Sequence, residues 1–274
     1  MDESRPLRYA FGDTAAASRR LGVLASVFAP TSQALLASLA PAPERTGPPG
    51  LVLDLGCGPG HTTAMLADAF PSATVVGIDS SPAFVAEATA SRPARCHFVV
   101  GDVSRTPLPC APADLVYGRF LLVHLPDPRA TVTAWSGQLA PGGMVVVEEP
   151  ERIDTDDPDF LRYLQLAGAV VADRGGDLYV GHDLLDLTPP PGTAIVVERD
   201  APLEVSAGEA ASIFSLNLGI WGHDPVLTGV AQPDEVPALL ARLQHRRSDR
   251  TRGVIRWHMR QVVVTRTAVM ARPG

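Results

Sequence analysis

The run Leu51-Val-Leu-Asp-Leu55 leads directly into Gly56-Cys-Gly58-Pro-Gly60. No other feature of the 274-residue chain restricts its fold as much. A short apolar run that stops at closely spaced glycines predicts a buried strand turning sharply into the next element. Residues without a Cβ take backbone angles that others avoid, and they let a ligand come close to the main chain. Four similar runs follow, at 73–79, 96–100, 113–117 and 144–148. They are continuously apolar rather than alternating, the pattern of strands covered on both faces. Helical patterns separate them at 61–70, 81–88 and 128–139, with Pro82 suited to a first turn. Strand alternating with helix in this way predicts an α/β fold with a parallel sheet.

The flanks are less regular. Asp13 is placed to cap a helix from 14 to 28, with Leu21, Leu24, Val27 and Phe28 on its apolar face. Pro30 is expected to end that helix and Thr31 to cap a second one at 32–39. Residues 41–50 form a Pro/Gly-rich linker. The N-terminal segment thus reads as a helical appendage, either covering one side of the sheet or closing over a site. Beyond residue 151, helices are expected at 160–166, 207–218 and 233–243, with a turn at 189–192. One or two strands at 254–257 and 260–265 return the chain to the sheet.

Asp54, Asp79 and Asp102 stand at three successive strand ends. In an open parallel sheet such ends share the edge where ligands bind. The glycine loop lacks the lysine of a phosphate-clamping loop, and all 23 basic residues of the chain are arginine. Asp54, two residues before the first glycine, disfavours a pyrophosphate and suits an ammonium group. Asp79 can accept hydrogen bonds from both hydroxyls of a ribose. Ser80 and Ser81 follow it and can cap the next helix; Phe84 can face a purine or simply fill the core. Asp102 can accept from an exocyclic amine beside the Val103 N–H, or serve as a turn residue.

Val52-Leu-Asp-Leu-Gly-Cys-Gly-Pro-Gly60, Val76-Gly-Ile-Asp79, Gly101-Asp-Val103, Asp114-Leu-Val-Tyr117 and Leu139-Ala-Pro-Gly-Gly-Met-Val-Val-Val-Glu148 occur in this order. As a set they resemble the successive motifs of class I S-adenosylmethionine-dependent methyltransferases. The resemblance covers 51–150. It implies a Rossmann-like seven-stranded α/β sheet whose last strand is antiparallel. Around that sheet we expect an N-terminal helical lid at 1–45 and a cofactor-binding domain at 46–274. A mostly helical acceptor-pocket insertion is expected at about 155–250. The implied cofactor is S-adenosyl-L-methionine. Gly56, Gly58 and Gly60 would line its methionine part, Asp79 would meet the ribose, and Asp102 with Val103 the adenine. Cys57, Ser80 and Phe84 are further candidate cofactor contacts. The segments at 9–13 and 119–124 resemble a bacterial subgroup of small-molecule methyltransferases, without naming a substrate.

Methyl transfer from a sulfonium is a displacement governed by positioning, and a base is required only if the nucleophile must lose a proton. Arg119 can pair with the cofactor carboxylate or an acidic acceptor. His124, Glu149 and Tyr9 are the candidate catalytic groups, each with a structural alternative. Of the adjacent Glu148 and Glu149, which point to opposite faces of a strand, Glu149 is expected to face the acceptor. The acidic run from Glu151 to Asp159 reads as a solvated loop and cap, or as an attraction for a cationic acceptor. Phe214, Asn217 and Trp221 can line an aromatic pocket. His182-Asp183 and His223-Asp224 lack partners at metal-like spacing, so no metal is expected.

Net charge is −7, so no broad basic field exists for nucleic acid, although Arg246–Arg260 form a local cluster. Three cysteines without a CxxC pair suggest a reducing, cytoplasmic setting. Neither a secretion signal nor a membrane span is read in the sequence. The expected partner is a small-molecule acceptor, and the expected assembly a monomer or homodimer. Three other readings remain at this point: a non-methylating cyclase on the same fold, a nucleic-acid or protein methyltransferase using the arginine cluster, and a non-enzymatic binding module. A nicotinamide dehydrogenase is disfavoured by Asp54 and the later motifs.

Overall fold

The computed structural model describes residues 12–39, 47–185 and 187–267. Its centre is a seven-stranded sheet. The first five strands are β1 (Leu51–Leu55), β2 (Thr74–Asp79), β3 (Cys96–Val100), β4 (Ala113–Arg119) and β5 (Leu139–Thr155), and β6 (Thr193–Val205) and β7 (Ile255–Arg266) complete it. The spatial order is β3-β2-β1-β4-β5-β7-β6. β1 to β5 pair in parallel, and β7 runs antiparallel between β5 and β6. The chain therefore reverses strand order at β1 and β4, and the crevice outside their carboxyl ends is the expected ligand edge of such a sheet.

The helices are α1 (Ala15–Ser38), α2 (His61–Ala69), α3 (Pro82–Ser91), α4 (Pro128–Ser136), α5 (Pro158–Asp173), α6 (Ala207–Trp221) and α7 (Glu235–His245). Two apolar layers cover the sheet. On one face Leu53, Leu55, Val145 and Val147 pack with Leu122, Val132 and Trp135. On the other, Val52, Leu115 and Val146 meet Leu35, Leu36 and Leu66 from α1 and α2. A third core, built from α1, α5, α6 and α7 and including Phe28, Phe160, Phe214 and Trp257, packs against the outer ends of β5 and β7.

Three expectations change. The two N-terminal helices are one: Thr14, not Asp13, caps α1, and Pro30 lies within it. Pro30 is exposed, while Phe28 and Leu35 on the opposite side are fully buried. Packing of that face holds the helix through the backbone bond that proline cannot make. Thr31 turns its hydroxyl back onto the Phe28 carbonyl at 2.9 Å. By composition α1 is also long and apolar enough to cross a membrane; here it lies against α2 and α6. The region expected as a mostly helical insertion contains β6, while the C-terminal segment, read as one or two strands, is the single strand β7. β5 continues seven residues past Glu148, to Thr155, and carries the chain outward beneath the third core.

Candidate active site

β1 ends in a loop with three glycines at positive φ: Gly56 at 63°, Gly58 at 52° and Gly60 at 80°. This is the region where a Cβ is strained, so the loop needs glycine. A Cβ on Gly56 would also come within 2.8 Å of Leu121 Cδ1. The loop is tied to the end of β2. Cys57 N–H donates to the Ile78 carbonyl at 3.1 Å, and Gly58 N–H donates to Asp79 Oδ2 at 2.8 Å. The second Asp79 oxygen accepts from Ser81 N–H at 2.8 Å. Each Asp79 oxygen thus keeps further acceptor capacity. Burial pushes the Asp79 carboxyl above its ordinary value, against the lowering pull of those two N–H groups.

Asp54 sits differently from the expectation. It is 1% exposed, and its Oδ2 accepts from the hydroxyls of Thr62 at 2.7 Å and Thr63 at 2.6 Å. Burial pushes its pKa up to about 6, against the two threonines and the nearby Arg119. It fastens the first turn of α2 behind the glycine loop, and it is not part of the cavity wall described below.

That cavity has a volume of about 1020 Å³ and opens over the carboxyl ends of β1, β2 and β4. At one end it is lined by Gly56, Cys57, Gly58, Asp79, Ser80, Phe84, Asp102 and Val103. Phe84 is buried in the first turn of α3, which Ser81 caps. Ser81 in turn donates its hydroxyl to Asp13 at 2.8 Å. Asp102 is more open: its Oδ1 accepts from Ser104 N–H at 2.9 Å, and Arg105 stands 3.4 Å away. The Val103 carbonyl takes the indole N–H of Trp135 at 2.9 Å, which fixes this turn. Burial raises the Cys57 thiol far above its ordinary value, so it is no thiolate at neutral pH.

The other end lies between α1, β5 and the α5–α6 pair. Arg20, Leu24, Arg119, Phe120, His124, Ile153, Tyr163, Phe214, Asn217 and Trp257 line it. Arg119 ends β4 and donates from its guanidinium to the Ser32 hydroxyl at 2.8 Å, which binds it to α1. Arg20 is 7% exposed. It is close enough to His124 and Tyr163 to shift both: burial first, then Arg20 and Arg174, push His124 down to about 3. His124 is therefore neutral at physiological pH and a weak proton acceptor.

Glu149 also departs from the expectation. It is fully buried and is not part of the cavity wall. Its Oε1 accepts from the N–H groups of Leu121 and Leu122, both at 2.9 Å. It thus holds the turn that presents Leu121 to Gly56 and carries His124. Burial pushes its pKa up to about 8, outweighing the backbone donors. Its neighbour Glu148 points to the opposite face, accepting from Tyr117 and Gln261, both at 2.6 Å. Tyr9 lies outside the described residues.

Two features that look separate in the sequence meet in the structure at two points. The acidic run meets the arginine cluster: Arg260 pairs with Glu151 at 2.5 Å and Arg246 with Asp157 at 2.7 Å. Asp157 also caps α5, and Arg256 pairs with Glu204 at 2.5 Å. Asp224, from one of the His-Asp pairs, is held by Arg174 at 2.6 Å. Among the described residues no group of three or more His, Cys, Asp or Glu is arranged to hold a metal ion.

Sequence reasoning passed over Arg20. The signal was present, since Arg20 falls three residues after Ala17 and four before Leu24, on the buried stripe of α1.

A family model described as a methyltransferase domain matches residues 52–143. A trans-aconitate 2-methyltransferase of Streptomyces avermitilis is 34% identical over 197 residues, 70% of each chain. The chain belongs to the class I S-adenosylmethionine-dependent methyltransferases. A second methyltransferase of the same name, from Methylobacterium radiotolerans, is 34% identical over 173 residues. That match covers 60% of this chain and 66% of the relative, so the chain spans about two thirds of these relatives' length. The solved structure of the cyclase SpnF shares the fold at a TM-score of 0.52 and 18% identity, over 87% of this chain and 80% of that one. A methyltransferase fold therefore does not by itself select the reaction.

The residues present fit the family's cofactor. Backbone without Cβ atoms, a carboxylate with acceptor capacity at the end of β2, an apolar clamp at Phe84 and Val103, and a cation at Arg119 match, respectively, an amino-acid chain, a ribose, a purine and a carboxylate.

Proposed function

We propose that this methyltransferase esterifies a carboxylate of a small organic acid, and that Arg20 holds that acid. One observation carries the reading: a buried arginine lines the acceptor end beside His124, and its field helps to strip that histidine of its proton affinity. The same residue thus offers an anion-binding group and weakens the nearest candidate base. With Glu149 withdrawn onto the backbone of 121–122, the described wall of this end contains no effective base. A carboxylate needs none, because it is already ionised at neutral pH. The names of the relatives point the same way, since trans-aconitate is itself a carboxylate.

In this reading the glycine loop, Asp79 and Ser80, and Asp102 with Val103 hold the cofactor along the sheet edge, and Arg119 takes its carboxylate. Bound there, S-adenosylmethionine supplies an electrophilic methyl group on a sulfonium. Arg20 orients the acid, and the aromatic wall excludes water and narrows its approach to one line. Displacement by an ionised acceptor oxygen would break the carbon–sulfur bond and leave both its electrons on the departing thioether, so the protein would have no proton to accept. Pairing of Arg246, Arg256 and Arg260 with carboxylates weakens the argument for a nucleic-acid substrate.

Incubation with labelled cofactor and a panel of carboxylic acids tests this. The expected product is a methyl ester, which mild alkali cleaves to release methanol. Arg20→Met should raise the acceptor KM by at least tenfold and leave cofactor affinity within twofold. An alkali-stable methylated product, or an Arg20→Met enzyme with unchanged acceptor KM, would contradict the proposal.

A further inference from the structure

We propose that the buried Glu148 positions Arg119 through two intervening hydroxyls, and so strengthens the grip of the site on the cofactor's amino-acid end. This rests on the assignment of Arg119 to the cofactor carboxylate. It adds three positioning residues that stand behind that arginine: Ser32, Tyr117 and Glu148.

The hydrogen bonds run from the cavity wall into the core. Arg119 lines the cavity, and its guanidinium donates to Ser32 Oγ at 2.8 Å. Ser32 Oγ lies 3.2 Å from the Tyr117 hydroxyl, and that hydroxyl lies 2.6 Å from Glu148 Oε1. An arginine only donates, and each hydroxyl has one proton to give. The shorter contact takes the tyrosine proton, so Tyr117 donates to Glu148 and Ser32 donates to Tyr117. Every bond then points the same way, from guanidinium to carboxylate. Burial first, then the neighbouring Glu148, push the Tyr117 hydroxyl well above its ordinary value, which keeps it a donor.

The inner end is fixed as firmly. Gln261 donates to the second Glu148 oxygen at 2.6 Å. Its own carbonyl accepts from Arg199 at 2.8 Å, which settles the orientation of the amide. Both Glu148 oxygens thus accept, as those of an ionised carboxylate do.

Burial makes the arrangement informative. Ser32, Tyr117 and Gln261 are fully buried, and Glu148 is 1% exposed. Tyr117 lies among Leu35, Leu36 and Val146. Apolar side chains would fill this layer without desolvating a carboxyl group, which is costly unless its bonding is complete. In such surroundings successive hydrogen bonds polarise one another. Glu148 therefore acts as a remote counter-charge that holds Arg119 in one place. Ser32 engages one N–H of a five-donor fork, so a ligand carboxylate can still be met by the others.

Calorimetry of the full chain with two thioethers separates this role from simple attachment of α1 to the sheet. S-adenosylhomocysteine carries the amino-acid chain, and 5′-methylthioadenosine lacks it. Ser32→Ala and Tyr117→Phe should each weaken the first ligand by roughly fivefold or more and leave the second within about twofold. Arg119→Met should weaken the first by roughly tenfold or more. Added to Arg119→Met, Ser32→Ala should cost less than about twofold more, because the two act as one unit. Should Tyr117→Phe fail to fold, Ser32→Ala and the double variant decide the point. Equal weakening of both ligands by Ser32→Ala, no weakening of either, or full additivity in the double variant would overturn the inference and leave Arg119 at the cofactor carboxylate. Unchanged S-adenosylhomocysteine affinity in Arg119→Met would overturn that assignment, and this inference with it.

Discussion

Glu149→Gln separates a structural carboxyl from a catalytic one. In the folded protein burial holds this group protonated up to about pH 8, whereas an ordinary glutamate ionises near 4.5. Between those values the native state carries a proton that the unfolded chain has lost. Raising the pH therefore disfavours folding. The stabilisation is complete below the unfolded value and is lost as pH rises through 8. The slope is at most roughly 1.4 kcal/mol per pH unit, and the whole effect about 5 kcal/mol. Glutamine keeps an oxygen to accept from Leu121 and Leu122 and has no charge to bury. Asp54 titrates in the same sense but nearer pH 6, so the window 6.5–8 isolates Glu149. Across it, the advantage of the variant over wild type should grow by about 2 kcal/mol, or about 4–8 °C in midpoint for a chain of this size. Thermal unfolding of both proteins at several pH values reads this directly, with turnover measured alongside. Parallel pH dependence of the two proteins would refute the burial argument. A fall in turnover of roughly 10²–10⁴, the usual cost of removing a general base, would refute the structural assignment.

Three further outcomes are expected. Gly56→Ala places a Cβ at φ 63° and against Leu121, so it should cost about 1–2 kcal/mol from the backbone alone and lower the unfolding midpoint. An unshifted midpoint would show that the loop is not held as described. With His124 neutral down to about pH 3, log kcat/KM for an acid substrate should show no histidine-type inflection between pH 5.5 and 7.5; a clear unit slope there would restore His124 as a base. Arg260→Met removes the nearer of two arginines from the buried Glu151 carboxylate and leaves it Arg152 at 3.7 Å, so it should destabilise the fold in urea unfolding by less than the roughly 3–5 kcal/mol of a fully stranded charge. A neutral result would mean that the pair is solvated.

β1, β2, β4 and the first half of β5 were readable because each is covered on both faces, which makes its sequence a continuous apolar run; β3, at the other edge of the sheet, was readable because it keeps an apolar run although Val100 is exposed. β6 was not. It is an edge strand with Glu198, Arg199, Asp200 and Glu204 along it, largely exposed, so it carries the composition of a loop. The extension of β5 was hidden for a related reason. Pro150, Glu151 and Arg152 resemble a strand end, yet Glu151 is accommodated by Arg260 from β7, a partner that is distant in sequence. Pro30 misled because local propensity predicts a break, while the buried face of α1 overrides it.

The site divides in the same way. The glycine loop, Asp79 and Asp102 stand at strand ends whose spacing is local, so their gathering at one edge followed from the topology. The acceptor end is assembled from α1, β5, α5, α6 and β7, and no local pattern announces that convergence. The alternation rule did separate Glu148 from Glu149 correctly. It could not say that the turn at 121–122 would come back to occupy Glu149.

Calorimetric titration of the purified full chain with S-adenosylhomocysteine, beside Asp79→Asn, bears most directly on the cofactor site. One molecule should bind per wild-type chain, and the variant should bind at least tenfold more weakly, because the amide replaces an oxygen that holds the Gly58 loop and that the proposed site assigns to the ribose. No binding by the wild-type protein, or equal affinity in the two, would contradict the assignment of that edge.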